Sequence, residues 1–410
     1  MSTTTAKLRH DEHLLFDLGD PAMVDDPYPL YRRLRETEPV HRAPGGYWVF
    51  SRYADVALLL RDPRLGKGFH RLATSPMAAA RGGAGSPLVA EMSRWMLFLD
   101  PPDHTRIRSL VTKAFTPRAI ERIRWRTQEI VDDLIDQVAG DGGMDAIEQF
   151  AFPLPVTVIA EMLGLPIEDG GLCREWTVTA ARVLDPNQTP EQLVRVIEAI
   201  GHLSDYVRGH IAERRRSPGD DLLSVLIAAE EQGERLGEDE LVSTVNLLFG
   251  AGHETTINLI GNGLLALLRN PDQLARLQHD PSLVPNAVEE LLRYDSPAQL
   301  IRRWAHEDLD VCGVHLEAGD EILMLAGAAN RDPERFPDPD VLDVGRADVR
   351  HVSFGGGPHF CLGAMLARME AQVALATLLR RLPAITLATD HVEWREHVVL
   401  RGLKSLPVSF

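Results

Sequence analysis

Apolar positions recur at helical spacing along most of the chain, and no repeat or low-complexity tract interrupts them. Asp26-Pro27-Tyr28-Pro29 introduces an amphipathic turn through Leu30 and Leu34. Gly46-Tyr47-Trp48-Val49-Phe50 reads as a strand, and Arg52 to Leu60 as a helix ended by Asp62-Pro63. From Gly66 to Met92 the pattern dissolves around Arg81-Gly82-Gly83-Ala84-Gly85-Ser86-Pro87, and so long a loop in a compact domain is usually functional or mobile. Helical signals run from Pro102 to about Gly164, an irregular stretch covers Asp169 to Pro190, and a helix follows from Pro190 to Arg216. Glu238 to Arg269 is one apolar-periodic run, about 48 Å long at ~1.5 Å per residue. Val284 to Tyr294 and Cys361 to Leu382 are further helices, and the alternation over Leu309 to Ala326 reads as a small β region. The pattern predicts a mainly α protein with minor β.

Length alone would suggest two or three domains at roughly 150 residues each, but no linker divides the 410 residues. One folded unit over 21–410 is expected, with 1–20 a poorly ordered tail. Hydrophobic residues make up 44% and charged residues 25%, which excludes a disordered or fibrous chain. The net charge of −17 repels phosphate backbones, so no nucleic-acid partner is expected. Met1 to Leu15 lacks the apolar core of a signal peptide, and no stretch of 18 apolar residues occurs. A cytoplasmic protein without membrane contact is expected. Cys173, Cys312 and Cys361 lie far apart and form no zinc spacing, which fits a reducing compartment.

The strongest chemical signal is Phe354-Gly355-Gly356-Gly357-Pro358-His359-Phe360-Cys361-Leu362-Gly363, directly before a helix. A cysteine at a helix N-terminus feels the positive end of the macrodipole, which favours thiolate, and consecutive glycines let backbone approach a flat object closely. For an arbitrary cysteine a buried structural role is commoner. The motif around it reverses that preference. Phe354-x-x-Gly357-x-x-x-Cys361-x-Gly363 resembles the haem loop of the cytochrome P-450 family at every fixed position. Ala251-Gly252-His253-Glu254-Thr255 and Glu290-Leu291-Leu292-Arg293 resemble two further family motifs in the expected order, and the similarity runs from Asp26 to the C-terminus.

The resemblance implies the single-domain cytochrome P-450 fold, with a long central helix over haem b and the cysteine loop beneath it. It makes Cys361 the proximal thiolate ligand of the iron, where thiolate donation favours O–O cleavage. Cys173 and Cys312 match no ligand position and read as packing residues. The resemblance also implies that Gly252 opens a groove for dioxygen, and that Glu254 and Thr255 form an acid–alcohol pair relaying the two protons the reaction consumes. Read alone, Thr255 would simply bond back to the carbonyl four residues earlier. His253 reads as a structural or gating polar residue rather than a ligand. His104, Arg108, Arg303 and His359 match propionate-binding positions, Arg302 competing with Arg303, and Ala251 and Gly363 flank the haem. Glu290 and Arg293 would be buried with a third arginine, Arg346, as structural residues.

Substrate contacts are implied for Ser75 to Leu97, Cys173 to Pro190, Leu247 to Ala251 and Ala298 to Ile301, segments apolar enough for a polyketide, macrolide, terpenoid, steroid or fatty acyl chain. The expected activity is monooxygenation, hydroxylation or epoxidation in secondary metabolism. No Gly-rich dinucleotide-binding segment is present, so electrons are expected from a ferredoxin and its NAD(P)H-dependent reductase. That ferredoxin would dock at a basic patch holding Arg106, Lys113, Arg350 and Arg368. A peroxide-driven or C–C coupling or cleaving haem-thiolate enzyme is the alternative, and a haem-binding sensor or carrier without turnover is the rival from another class. Nothing in the sequence requires more than a monomer.

Overall fold

The computed structural model describes residues 16–69, 79, 81–83, 85–185, 188–231 and 236–410. The tail expected over 1–20 therefore lies outside the described residues as far as position 15. From Phe16 onward the chain packs, since Phe16 and Leu18 are buried in one cluster with Tyr31, Leu34 and Val49. The folded unit thus reaches back at least to Phe16.

Helices form most of the described structure, and the Glu238–Arg269 helix runs through its middle. Its whole circumference over Leu259–Leu267 is buried, so that stretch is enclosed on every side rather than amphipathic. It packs against helices Pro153–Leu163, Pro190–Arg216, Val284–Tyr294 and Ala364–Arg381. Three boundaries match the expected ones, at Pro190–Arg216, Glu238–Arg269 and Val284–Tyr294. Pro190–Arg216 opens with a capping box in which Thr189 and Gln192 satisfy each other's free amides, which is why it starts there.

The stretch expected to be irregular from Asp169 contains a helix, Gly170–Ala181. Its buried stripe is Gly170, Cys173, Thr177 and Ala180, at helical spacing but made of residues too small or polar to register as apolar. Helices Leu222–Glu231 and Pro271–His279 were also not expected.

A five-stranded sheet lies to one side in the order Val40–Arg42, Trp48–Phe50, Glu321–Met324, Ile301–Ala305 and Leu65–Gly66. Trp48–Phe50 runs parallel to Glu321–Met324, and the other neighbours are antiparallel. The expected β region contributes Glu321–Met324 to it and forms its own hairpin from Leu309–Val311 and Val314–Leu316. Cys312 sits in that hairpin's turn at φ 51°, and Cys173 packs in the main core, so neither approaches Cys361 chemistry. A third sheet joins Gly143–Asp145, Pro407–Ser409 and Thr386–Leu387. Among the described residues, no helix is long and apolar enough to cross a membrane.

Candidate active site

The cysteine loop is built by backbone geometry. Gly355 and Gly357 have φ of 70° and 64°, and a Cβ on Gly357 would stand 2.6 Å from the Leu60 carbonyl oxygen. Both positions therefore demand glycine. The turn Gly357–His359 brings the Cys361 amide back to donate to the Phe354 carbonyl at 2.9 Å, and the helix Ala364–Arg381 begins three residues past the cysteine. Burial pushes the Cys361 thiol up, while the Gly363 amide and the Arg108 and Arg368 guanidiniums pull it back. Desolvation therefore outweighs the Gly363 amide and the two guanidiniums.

Two adjoining cavities of about 290 Å³ each meet at this loop. The first is a slot bounded by Cys361, Gly363 and Phe354 of the loop and by Ala251, Gly252 and Thr255 of the central helix. The second is a chamber of equal volume, which Ala251, Thr255 and His359 share with the slot. Cys361 is exposed only in the sense that it faces this interior, since it lines the slot. Gly252 lines the slot too, but a Cβ there would stand 2.9 Å from Ile159 Cγ1. Its missing side chain thus accommodates a neighbouring helix.

On the central helix, Thr255 Oγ1 donates to the Ala251 carbonyl at 3.3 Å, the back-bond its spacing allows, while also lining both cavities. Glu254 is buried and lines the chamber. Its Oε1 accepts from Arg395 Nη1 at 2.6 Å, and its Oε2 is buried without a partner among the described residues. His253 is fully buried, its Nδ1 2.7 Å from the Phe249 carbonyl and its Nε2 3.1 Å from Thr177 Oγ1. Burial lowers its pKa, so it is a neutral structural residue, as expected.

His104, Arg108, Arg303 and His359 gather at the margins of these cavities. The His104 and His359 rings lie 4.1 Å apart, and both nitrogens of His104 and Nε2 of His359 are buried without partners among the described residues. Burial lowers His104 to about 4 and also lowers His359, so both rings are neutral at pH 7. Arg108 Nη2 donates to the Phe360 carbonyl at 2.6 Å, and Arg303 Nη1 to that of Arg302 at 3.0 Å. Strand register separates the two competing arginines. Arg302 Nε lies 3.4 Å from the buried Glu321 carboxylate, whereas Arg303 is 3% exposed and has no carboxylate within ion-pair distance among the described residues. Lys67, which sequence reasoning missed, joins them. It is buried and lines the chamber, and burial lowers its pKa well below the usual range, helped by Arg303 and Arg302. Orphaned donors and unpaired cations beside a slot that ends in a cysteine fit a flat iron porphyrin carrying two carboxylates.

Glu290, Arg293 and Arg346 form the triad expected, Glu290 and Arg293 wholly buried and Arg346 partly so, with Arg293 Nε 2.7 Å and Arg346 Nε 3.1 Å from the Glu290 carboxylate. The expected basic patch is largely neutralised. Arg106 pairs with Glu240 at 2.6 Å, Arg368 with Glu289 at 2.6 Å and Arg350 with Asp348 at 2.6 Å. The implied substrate segments partly hold, since Leu97, Thr177, Leu247, Ala298 and Ile301 line the chamber, while 75–78, 80, 84, 186 and 187 lie outside the described residues.

The comparisons agree on one class. The family model described as cytochrome P-450 matches residues 181–401. Cytochrome P-450 107B1 of Saccharopolyspora erythraea is 46% identical over 400 residues, covering 95% of this chain and 96% of its own. The polyketide biosynthesis cytochrome P-450 PksS of Bacillus subtilis strain 168 is 40% identical over 408 residues, covering 97% and 99%. The crystal structure of the myxobacterial cytochrome P-450 CYP267B1, in complex with myristic acid, is similar with TM-score 0.89 and 46% identity, over 95% of this chain and 98% of that one. Fold and site therefore define an oxidoreductase of the haem-dependent monooxygenase class. The chain belongs to the cytochrome P-450 family.

Proposed function

We propose that this protein inserts one oxygen atom from dioxygen into a lipophilic small molecule, using haem b held through Cys361. The observation that carries the reading is that Cys361 and Thr255, from distant parts of the chain, line one slot that opens into an apolar chamber. Bound there, haem supplies the dioxygen and one-electron chemistry that side chains lack. The Cys361 sulfur, to which the Gly363 amide donates, would hold the iron. Arg108 and Arg303 would neutralise the two propionates, and the neutral rings of His104 and His359 would donate to them. Ala251 would form part of the wall around the haem. Thr255 Oγ1 leaves the Ala251 carbonyl to hold water in the slot, and Glu254 Oε2 passes protons to it from the Arg395 side. The apolar walls exclude other water.

The substrate is of polyketide or macrolide, terpenoid or steroid, or fatty acyl type, free or carrier-bound, in secondary metabolism. The apolar lining, the polyketide-biosynthesis role of PksS and the myristic acid bound by CYP267B1 support this. Electrons come from a ferredoxin and its NAD(P)H-dependent reductase. The docking face is the patch of Arg106, Lys113, Arg350 and Arg368, in which Arg350, although paired with Asp348, keeps a side chain that is 81% exposed. The haem domain extends from at least Phe16 to position 410 behind an N-terminal tail, works as a monomer in the cytoplasm, and contacts neither nucleic acid nor membrane.

The test is the absorption spectrum of reduced protein under carbon monoxide. A strongly red-shifted Soret band is expected, and a band at the ordinary histidine-haem position would overturn the reading. Reductase-dependent NAD(P)H consumption that rises with added ligand then separates turnover from a sensor or carrier role.

A further inference from the structure

The chamber above the slot is walled by apolar side chains, among them Trp95, Phe98, Val183, Leu203 and Leu247, yet Asn246 of the central helix also lines it. The other polar groups there either have partners or are already assigned to the proton relay and the cofactor's carboxylates. Thr177 Oγ1 lies 2.9 Å from the Cys173 carbonyl and 3.1 Å from His253 Nε2. Glu254 is paired with Arg395 and Arg302 with Glu321. Lys67, Arg303 and His359 belong with the cofactor's carboxylates.

Asn246 is 4% exposed. Its Nδ2 donates to Ser204 Oγ at 2.9 Å, and its Oδ1 is buried with no hydrogen-bond partner among the described residues. Exchanging the two amide atoms changes nothing essential, because the Ser204 hydroxyl can donate as well as accept and one amide atom stays unpaired. An unpaired amide in an apolar chamber discriminates strongly, since a ligand that pairs it gains a bond and one that cannot leaves it orphaned. A hydroxyl group both donates and accepts, so it satisfies the carboxamide in either orientation.

We propose that Asn246 anchors a hydroxyl group of the substrate, so that the preferred ligands are lipophilic alcohols. The inference deepens the monooxygenase reading and rests on it. Asn246, Gly250 and Glu254 line the chamber at intervals of four along one helix face. Asn246 stands nine residues before Thr255, about 13 Å along the axis at ~1.5 Å per residue. The anchored hydroxyl is therefore remote from the acid–alcohol pair, and the oxidised carbon lies toward the opposite end of the substrate.

The experiment uses the haem-loaded full chain and a panel of primary n-alkanols with their length-matched methyl ethers, titrated by spin-state shift. At least one chain length is expected to bind at least tenfold tighter as the alcohol than as the ether. Asn246→Leu is expected to erase that preference while changing ether affinity by less than threefold. A panel in which no alcohol outbinds its ether overturns the proposal, and this arm needs only the unmodified protein. A preference that survives Asn246→Leu overturns it equally. The carbon monoxide spectrum of the same samples separates the two readings: loss of the red-shifted band removes haem-thiolate chemistry itself, whereas an intact band without alcohol preference removes only the anchor.

Discussion

Replacing Glu290 by alanine tests whether the triad holds the fold around the cysteine loop. Its carboxylate accepts from Arg293 Nε at 2.7 Å and Nη2 at 2.8 Å, from Arg346 Nε at 3.1 Å and from the Asp343 amide at 3.0 Å. Glu290 and Arg293 are both wholly buried. Removing one partner leaves a desolvated guanidinium that, among the described residues, only the Asn330, Pro339 and Val341 carbonyls still meet, at 2.9, 2.8 and 3.4 Å. Breaking a buried pair in this way costs about 3–5 kcal/mol. A chain of 410 residues carries an unfolding entropy of about 0.9 kcal/mol per kelvin, so Tm should fall by roughly 3–6 °C. The damage should also reach the haem loop, because Asn330 Oδ1 accepts from the Val352 amide at 2.8 Å and Ser353 Oγ donates to the Leu292 carbonyl at 2.7 Å. Thermal melting by circular dichroism, with haem content read from the Soret band, is the assay. Glu290→Leu combined with Arg293→Met removes both charges and should recover at least half of the lost stability. A Tm within about 1 °C of the unmodified protein for Glu290→Ala would refute the reasoning, as would a double variant less stable than the single.

Three further outcomes are expected. Arg303→Ala should accelerate haem loss to an apoprotein acceptor several-fold, whereas Arg302→Ala should leave haem retention unchanged and lower Tm, because it strands the buried Glu321; equal haem loss in both would undo the assignment. Thr255→Ala and Arg395→Ala should each raise peroxide release per NAD(P)H consumed while substrate affinity stays within about twofold, and unchanged coupling would count against the relay. Burial raises the Glu289 carboxyl, but His351 and Arg368 outweigh it and hold the group at about 2, against an ordinary 4.5. Because the folded value is depressed, its contribution is complete above pH 4.5 and disappears as pH falls toward 2. The stability gap between the unmodified protein and Glu289→Gln, followed by urea denaturation, should therefore narrow between pH 4.5 and pH 3, and a gap independent of pH would contradict this.

What could be read before folding, and what could not, divides along a physical line. The Pro190–Arg216 and Glu238–Arg269 helices were legible because their signals are local, a capping box in one and an unbroken apolar period in the other. The Cys361 loop was legible because left-handed glycines and a turn before a helix must sit at fixed spacing from the cysteine. Gly170–Ala181 was hidden because small and polar residues can bury a helix face without looking apolar. Partners were illegible for a different reason. Glu254 announces itself as a charge inside an apolar helix, but no local rule says that Arg395 compensates it, since an ion pair depends on distance in space and not in sequence. The same holds for Lys67 and Asn246, each ordinary in its own segment and exceptional only once buried beside a cavity. Arg302 and Arg303 show the two regimes meeting. They are indistinguishable by residue type, and the strand register that sets Arg302 against Glu321 is what leaves Arg303 free to meet an anion. Sequence therefore marks the residues whose chemistry needs a local backbone, and the fold decides which remaining charges and amides are left without partners. Those unpaired groups are where ligand specificity resides.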